Sequence, residues 1–211
     1  MKIIKPYYQI LSNIDGAEIL KKIEGAGRTC YKSEDKITEN SAVKFAKMLI
    51  KSGHHSVIEH IFISVRFICD RGVTHELVRH RLASYSQEST RYANYSKDKF
   101  GNEIKVIEPL FWAKDSKEYS LWKEAMLNSE KYYMSLLENG AKPEQARSVL
   151  PNSLKTEIVM TCNLREWRHV FTLRCSKAAH PQMREIMIPL LKEFSEKIPV
   201  IFDDICEMLN F

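Results

Sequence analysis

Arg79-His80-Arg81, followed after seven residues by Ser89, packs two guanidinium groups, an imidazole and a hydroxyl into one short segment. The run Ser84-Tyr85-Ser86-Gln87-Glu88-Ser89-Thr90-Arg91-Tyr92 carries no aliphatic side chain to bury. It therefore reads as a solvated loop leaving the end of a helix. Planar forks, hydroxyls and backbone N–H groups in this density suit a phosphorylated, planar small molecule with hydrogen-bonding edges. Ser89 has no Ser-His-Asp order or nucleophile elbow around it, so its hydroxyl is expected to bind substrate rather than attack it.

Other residue groupings narrow the chemistry by what they lack. His54, His55, Glu59 and His60 give the spacing H-x-x-x-E-H. This is neither of the helical zinc patterns H-E-x-x-H and H-x-x-E-H, so capping and packing are expected of them and no metal site is assigned. Five cysteines, Cys30, Cys69, Cys162, Cys175 and Cys206, make an odd number with no C-x-x-C pair. They fit neither a disulfide framework nor a structural zinc site, and are expected to be reduced packing residues. No G-x-G-x-x-G or Walker A pattern occurs, and Gly25-Ala26-Gly27 lacks a third glycine. A flavin or pyridine nucleotide would have to be held by side chains and loops.

The elements that position these residues follow from periodicity. Residues 15–25 and 39–52 read as amphipathic helices, and Ile61 to Ile68 alternates in β-branched and aromatic residues as a strand does. A helix is expected over 71–82, a polar loop over 93–102 and a short strand over 104–107. A long helix over 116–139 stops at Asn139-Gly140, and Pro143 opens a short helix that ends before Pro151. Residues 154–162 read as strand, 164–174 as helix, and 182–208 as one or two helices broken at Pro189 or Pro199. Helices and strands mix without strict βαβ alternation, which predicts an α+β fold, a mixed or antiparallel sheet flanked by helices in one domain over 1–211.

With 44% hydrophobic and 28% charged residues the chain has the composition of an ordinary soluble globular protein. Its net charge of +5 is too mild to demand a polyanionic partner, but it is uneven. Residues 79–105 hold six basic and three acidic side chains, residues 140–180 hold seven and three, and the remainder is slightly acidic. Positive charge thus gathers at the motifs, as a focused cleft for anionic ligands requires. The N-terminus has no long apolar stretch, and no run is long enough to span a bilayer, so a cytoplasmic protein without membrane contact is expected.

The order R-H-R, seven residues, S, continued here as RHRLASYSQESTRY, resembles the signature of the flavin-dependent thymidylate synthases, the ThyX family. Further parts of that family's pattern occur in order. They are Arg28-Thr29-Cys30-Tyr31, His54 with Ser56 and Glu59-His60, Ala146-Arg147 with Val149-Leu150-Pro151, Asn163, Arg165, Leu173-Arg174 and His180-Pro181. The resemblance implies reductive methylation of dUMP to dTMP, with methylenetetrahydrofolate as carbon donor, FAD as redox relay and NADPH as reductant. It places Ser56, Arg79, His80, Arg81, Gln87, Asn163, Arg165 and His169 against FAD. It places Glu76, Arg79, Gln87, Glu88, Ser89, Thr90, Arg91, Arg147 and Arg174 against dUMP, with Arg174 as the activating, catalytic arginine. It also implies a homotetramer with sites shared between subunits, so that Arg147 would complete a neighbour's site.

This chain departs from some members at Ser86-Gln87, at Glu76 and at His169. A competing reading is a small RNA- or nucleotide-binding protein whose basic, Ser- and Tyr-rich loop stacks on bases. It accounts for the basic segments but not for Arg147, Asn163 and Arg174 in register, so no stable nucleic-acid partner is expected.

Overall fold

The chain is described by a computed structural model covering Met1–Asn210; Phe211, the last residue of the expected domain, lies outside the described residues. In order, the elements are β1 (Lys2–Ile4), β2 (Tyr7–Ile10), α1 (Gly16–Tyr31), α2 (Ser41–Lys51), β3 (Phe62–Asp70), α3 (Arg71–Leu77) and β4 (Ala83–Gln87). Then follow β5 (Lys105–Ile107), α4 (Lys117–Glu138), α5 (Pro143–Ala146), β6 (Lys155–Asn163), α6 (Leu164–Arg174), α7 (Pro181–Lys197) and α8 (Asp203–Leu209). An antiparallel sheet runs in the order β2-β3-β6-β4, and β1 pairs in parallel with β5. With helices flanking the sheet, this is the α+β architecture that the pattern of elements predicts.

Side-chain alternation decides the strands. Along β6, Thr156, Ile158, Met160 and Cys162 are buried while their neighbours are only partly covered, the period of two that one core-facing side demands. Capping decides several helix starts. Asp15, Asp70, Ser116 and Asn163 each accept a backbone N–H three residues on with their side-chain oxygen, satisfying a donor that the first helical turn leaves over.

Contacts gather the chain into two compact units, each assembled from separated stretches. One comprises Met1–Tyr8, Arg66–Arg79 and Tyr85–Val159; the other comprises Gln9–Val65, His80–Ser84 and the chain from Met160 onward. The core of the first is built on Tyr95, Ile104, Val106, Tyr119, Trp122, Met126, Tyr133 and Leu154. In the second, Trp167, Phe171, Phe194 and Phe202 pack ring on ring, with centroids 5.2–5.7 Å apart.

Several expectations need correcting. The first helix does not stop at residue 25 but runs through Gly25 and Gly27 to Tyr31. A Cβ on Gly27 would lie 2.7 Å from Phe45 Cε1 and 3.0 Å from Leu49 Cδ1, so the glycine is there for close helix packing. α3 ends at Leu77, not 82, with Val78 N–H and Arg79 N–H bonding back to the carbonyls of Thr74 and Glu76. Arg79, His80 and Arg81 therefore lie on the turn beyond the helix. The polar run is not loop throughout, since Ala83–Gln87 forms β4. As an edge strand beside β6, it can be polar without burying a face.

Pro189 sits inside α7 without ending it; the break comes before Pro199. Burial of Met183, Ile186, Met187, Leu190, Leu191 and Phe194 along one face outweighs the lost hydrogen bond. Residues 93–102 form the expected connection, with one 3-10 turn over Asp98–Phe100, but are not wholly polar in role, because Ala93 and Tyr95 enter the core. Strands β1 and β2 have no counterpart in the pattern, being short and interrupted at Pro6.

Candidate active site

In the unit that contains residues 66–79 and 85–159, β4 delivers the polar segment against β6. Gln87 Nε2 donates to Thr74 Oγ1 at 3.0 Å and to Thr156 Oγ1 at 3.3 Å. Glu88 is held at both ends. Its N–H bonds Glu157 O at 2.8 Å, while its carboxylate accepts from Tyr95 OH and from Lys155 Nζ, each at 3.0 Å. Burial works against the Lys155 charge, but Glu157 and Glu88 outweigh it and hold its pKa above the usual value. Ser89 Oγ accepts from Arg91 N–H at 3.3 Å, and buried Thr90 accepts from Arg147 Nη1 at 3.4 Å.

Arg91 and Arg147 are themselves exposed, Arg91 approaching Glu144 only at 4.0 Å. The segment thus has rigid backing and two cationic forks at its surface. Glu76 sits in α3, and the exposed Arg79 follows it, bonding its N–H to the Glu76 carbonyl at 3.2 Å. A cavity of about 480 Å³ in this unit is lined by Arg66, Ser86, Gln87, Glu88, Lys99 and Lys155, among others.

In the other unit, α6 places a second group. His80 is 3% exposed, with Nδ1 3.3 Å from Glu166 Oε1 and Nε2 accepting from Arg174 Nε at 2.9 Å. A guanidinium can only donate, so Nε2 carries no proton and the neutral ring keeps its proton on Nδ1, directed at Glu166. Burial, then the Arg174 guanidinium and the neighbouring His169, pushes His80 down to about 4, so the ring is neutral at physiological pH. The His80–Glu166 contact is accordingly a hydrogen bond and not an ion pair. Burial holds the Glu166 carboxyl above the usual range, with His169 opposing.

The exposed His169 ring meets His80 edge to face at 5.5 Å. His80, Glu166 and His169 offer ligand-type atoms within 4.8 Å of one another, but the Arg174 guanidinium already occupies His80 Nε2 with positive charge. Hydrogen bonds tie Glu166 and Arg174 to His80, and His169 joins them through its ring contact.

Ser56 and Arg165 line one cavity of about 400 Å³ in this same unit, together with Cys30, Tyr31, His54 and His55. Its size is in the range of small-molecule sites, roughly 300–1,000 Å³. Tyr31 OH and His54 Nδ1 are 2.7 Å apart with their rings stacked, and Arg165 Nη1 bonds Glu59 at 2.5 Å. A guanidinium, a hydroxyl and flat rings around one space match the donors and surfaces that a flavin nucleotide needs. Asn163 has a structural duty as well, since its Oδ1 caps α6 by accepting from Glu166 N–H at 2.9 Å. Arg81 is exposed on the turn before β4.

The family model for thymidylate synthase complementing protein matches residues 12–200, nine-tenths of the chain. The chain belongs to this family. Among its relatives, the flavin-dependent thymidylate synthase of Pyrococcus furiosus is 34% identical over 172 residues, covering 81% of this chain and 70% of its own. That of Geobacter sulfurreducens is 33% identical over 186 residues, with 85% and 78% covered. That of Mycolicibacterium vanbaalenii is 33% identical over 211 residues, with 92% and 81% covered. The family resemblance of the RHR signature is thereby borne out. Glu166 was not foreseen as a site residue. In sequence it stands third in a helix behind Asn163, where an acid looks like an ordinary first-turn residue.

Proposed function

We propose that this chain is a flavin-dependent thymidylate synthase that methylates dUMP at C5, taking the carbon from methylenetetrahydrofolate and the reducing equivalents from NADPH. Family membership and the names of the relatives support the reaction. The observation that carries the reading is Arg174, fixed through Nε on a neutral, buried His80. Uracil C5 is a weak nucleophile until negative charge develops in the ring. A guanidinium held beside N3 and the carbonyl oxygens stabilises that charge without itself titrating, and its fixed orientation avoids reorganisation as the charge appears.

Ser89, Thr90 and Arg91, backed by the Gln87 and Glu88 hydrogen bonds, grip the nucleotide, with Arg91 and the loop N–H groups on its phosphate. Glu76, Arg79 and Arg147 complete the dUMP contacts. Ser56, Arg79, His80, Arg81, Gln87, Asn163, Arg165 and His169 hold FAD, which when bound supplies the relay of electrons from NADPH. A cytoplasmic homotetramer with shared sites is part of the same proposal; no helix among the described residues is long and apolar enough to cross a membrane.

The test is dTMP formation by the purified protein with dUMP, methylenetetrahydrofolate and NADPH, alongside Arg174→Ala. The substitution is expected to lower turnover by about two to three orders of magnitude, the size of one lost oxyanion partner, while flavin absorbance survives. A colourless protein that binds RNA with steep salt dependence and forms no dTMP would overturn the proposal.

A further inference from the structure

Glu166 is 6% exposed, yet it is a carboxyl group with no part in the reaction as set out above. A buried carboxyl is costly unless it is hydrogen-bonded, so its placement calls for a reason. Its backbone is pinned, because the N–H is taken by the Asn163 cap at the start of α6. Its Oε1 faces His80 Nδ1 at 3.3 Å, and the opposite nitrogen of the same ring receives Arg174 Nε at 2.9 Å. Glu166 and Arg174 lie eight residues apart on α6, near its two ends, and His80, from the turn before β4, bridges them.

We infer that Glu166 is a positioning residue for Arg174, acting through the His80 ring: it accepts the Nδ1 proton, fixes the ring's tilt, and so aims the lone pair on Nε2 that orients the guanidinium. Without the Glu166 acceptor, the imidazole loses the contact that selects its tilt, and the Arg174 guanidinium is aimed less sharply. His80 thereby joins the two ends of α6, and its place in the signature is explained by orienting an arginine as well as by the flavin contact assigned to it. A neutral ring is essential to the arrangement, since a second proton on Nε2 would set two donors against each other.

The inference rests on Arg174 acting on the nucleotide, and the experiment separates the two. Four proteins are compared: the unmodified chain, Glu166→Leu, Arg174→Ala and the double variant. Turnover and the Michaelis constants for dUMP and NADPH are measured on each, with flavin absorbance and thermal unfolding as controls. Glu166→Leu is expected to lower kcat about tenfold or more, the scale of a misaimed catalytic group, with little change in the Michaelis constant for NADPH. In the Arg174→Ala background the same change should cost less than about twofold, because the two residues act as one unit.

Equal losses in both backgrounds would overturn the inference and assign Glu166 to the fold. Full activity of Arg174→Ala alone would instead overturn the proposed role of Arg174, and the inference with it. Should Glu166→Leu fail to fold, Glu166→Gln is carried through the same cycle. It keeps the size and one acceptor oxygen, and its smaller loss, roughly three- to tenfold, must likewise vanish in the Arg174→Ala background; persistence there refutes the inference.

Discussion

Replacing Trp167 with Phe tests whether the aromatic core beneath α6 is what holds the helix that carries Arg165, Glu166, His169 and Arg174. Trp167 is fully buried, its ring centroid lying 5.5 Å from Phe171 and 5.2 Å from Phe194, and its Nε1 donates to Ile63 O at 3.1 Å. The Phe ring preserves much of the aromatic contact but not the donor. Losing that donor beside a buried carbonyl costs about 1–2 kcal/mol. The space of the missing ring, only partly refilled, costs about another 1–2 kcal/mol. For a chain of this length each kcal/mol moves Tm by about 2–4 °C, so the two losses together predict a fall of roughly 5–15 °C. Thermal unfolding followed by circular dichroism, with urea titration for the free energy, measures it; the urea slope should not change. A loss below about 1 kcal/mol would show that the indole N–H and the second ring contribute little, and would refute the reasoning.

Arg165→Ala should reduce the flavin absorbance retained after desalting, because it removes a guanidinium from the wall of the Ser56 cavity; undiminished flavin would remove Arg165 from cofactor binding. Arg91→Ala should raise the Michaelis constant for dUMP far more than that for NADPH, and equal rises would place Arg91 elsewhere. Burial alone would raise the Glu108 carboxyl, but hydrogen bonds from Tyr119, Lys114 and Lys5 outweigh it and bring the group from 4.5 to about 2. Because its folded value is depressed, the stability it contributes is present above pH 4.5 and is lost as pH falls towards 2. Glu108→Gln should therefore be less stable than the parent at pH 7, with the difference shrinking over that acid window. A difference that stays constant down to pH 2 would refute the linkage.

Motif residues were legible in the sequence because their types are costly to place idly. Arg79, His80, Arg81 and Ser89 stand out as part of a dense polar run, whereas Arg174, a lone arginine at the end of a helix, is singled out only by the family resemblance. Strand β6 and helix α6 were legible for the opposite reason, since a period of two and then of 3.6 writes their burial directly into the order of residues. The end of α3 was not, because Val78 and Leu82 extend the apolar spacing although both side chains are exposed. Strand β4 escaped notice for a related reason. An edge strand takes its stability from backbone pairing, which a polar sequence neither advertises nor forbids. Glu166 was hidden by a double duty, its backbone serving the cap of α6 while its side chain turns towards His80, 86 residues earlier in the chain.

The two glycines of α1 have opposite meanings for anyone seeking a sturdier version of this protein. At Gly25 a methyl group would meet nothing within 4 Å, so alanine there should add about 0.4–1 kcal/mol by narrowing the unfolded chain's choices. Two positions further on, the same methyl group would lie 2.7 Å from Phe45 Cε1 and 3.0 Å from Leu49 Cδ1, so the packing against α2 must give way before it fits. One helix thus carries both an open route to thermal hardening and a position closed to it, and only the neighbouring helix tells them apart.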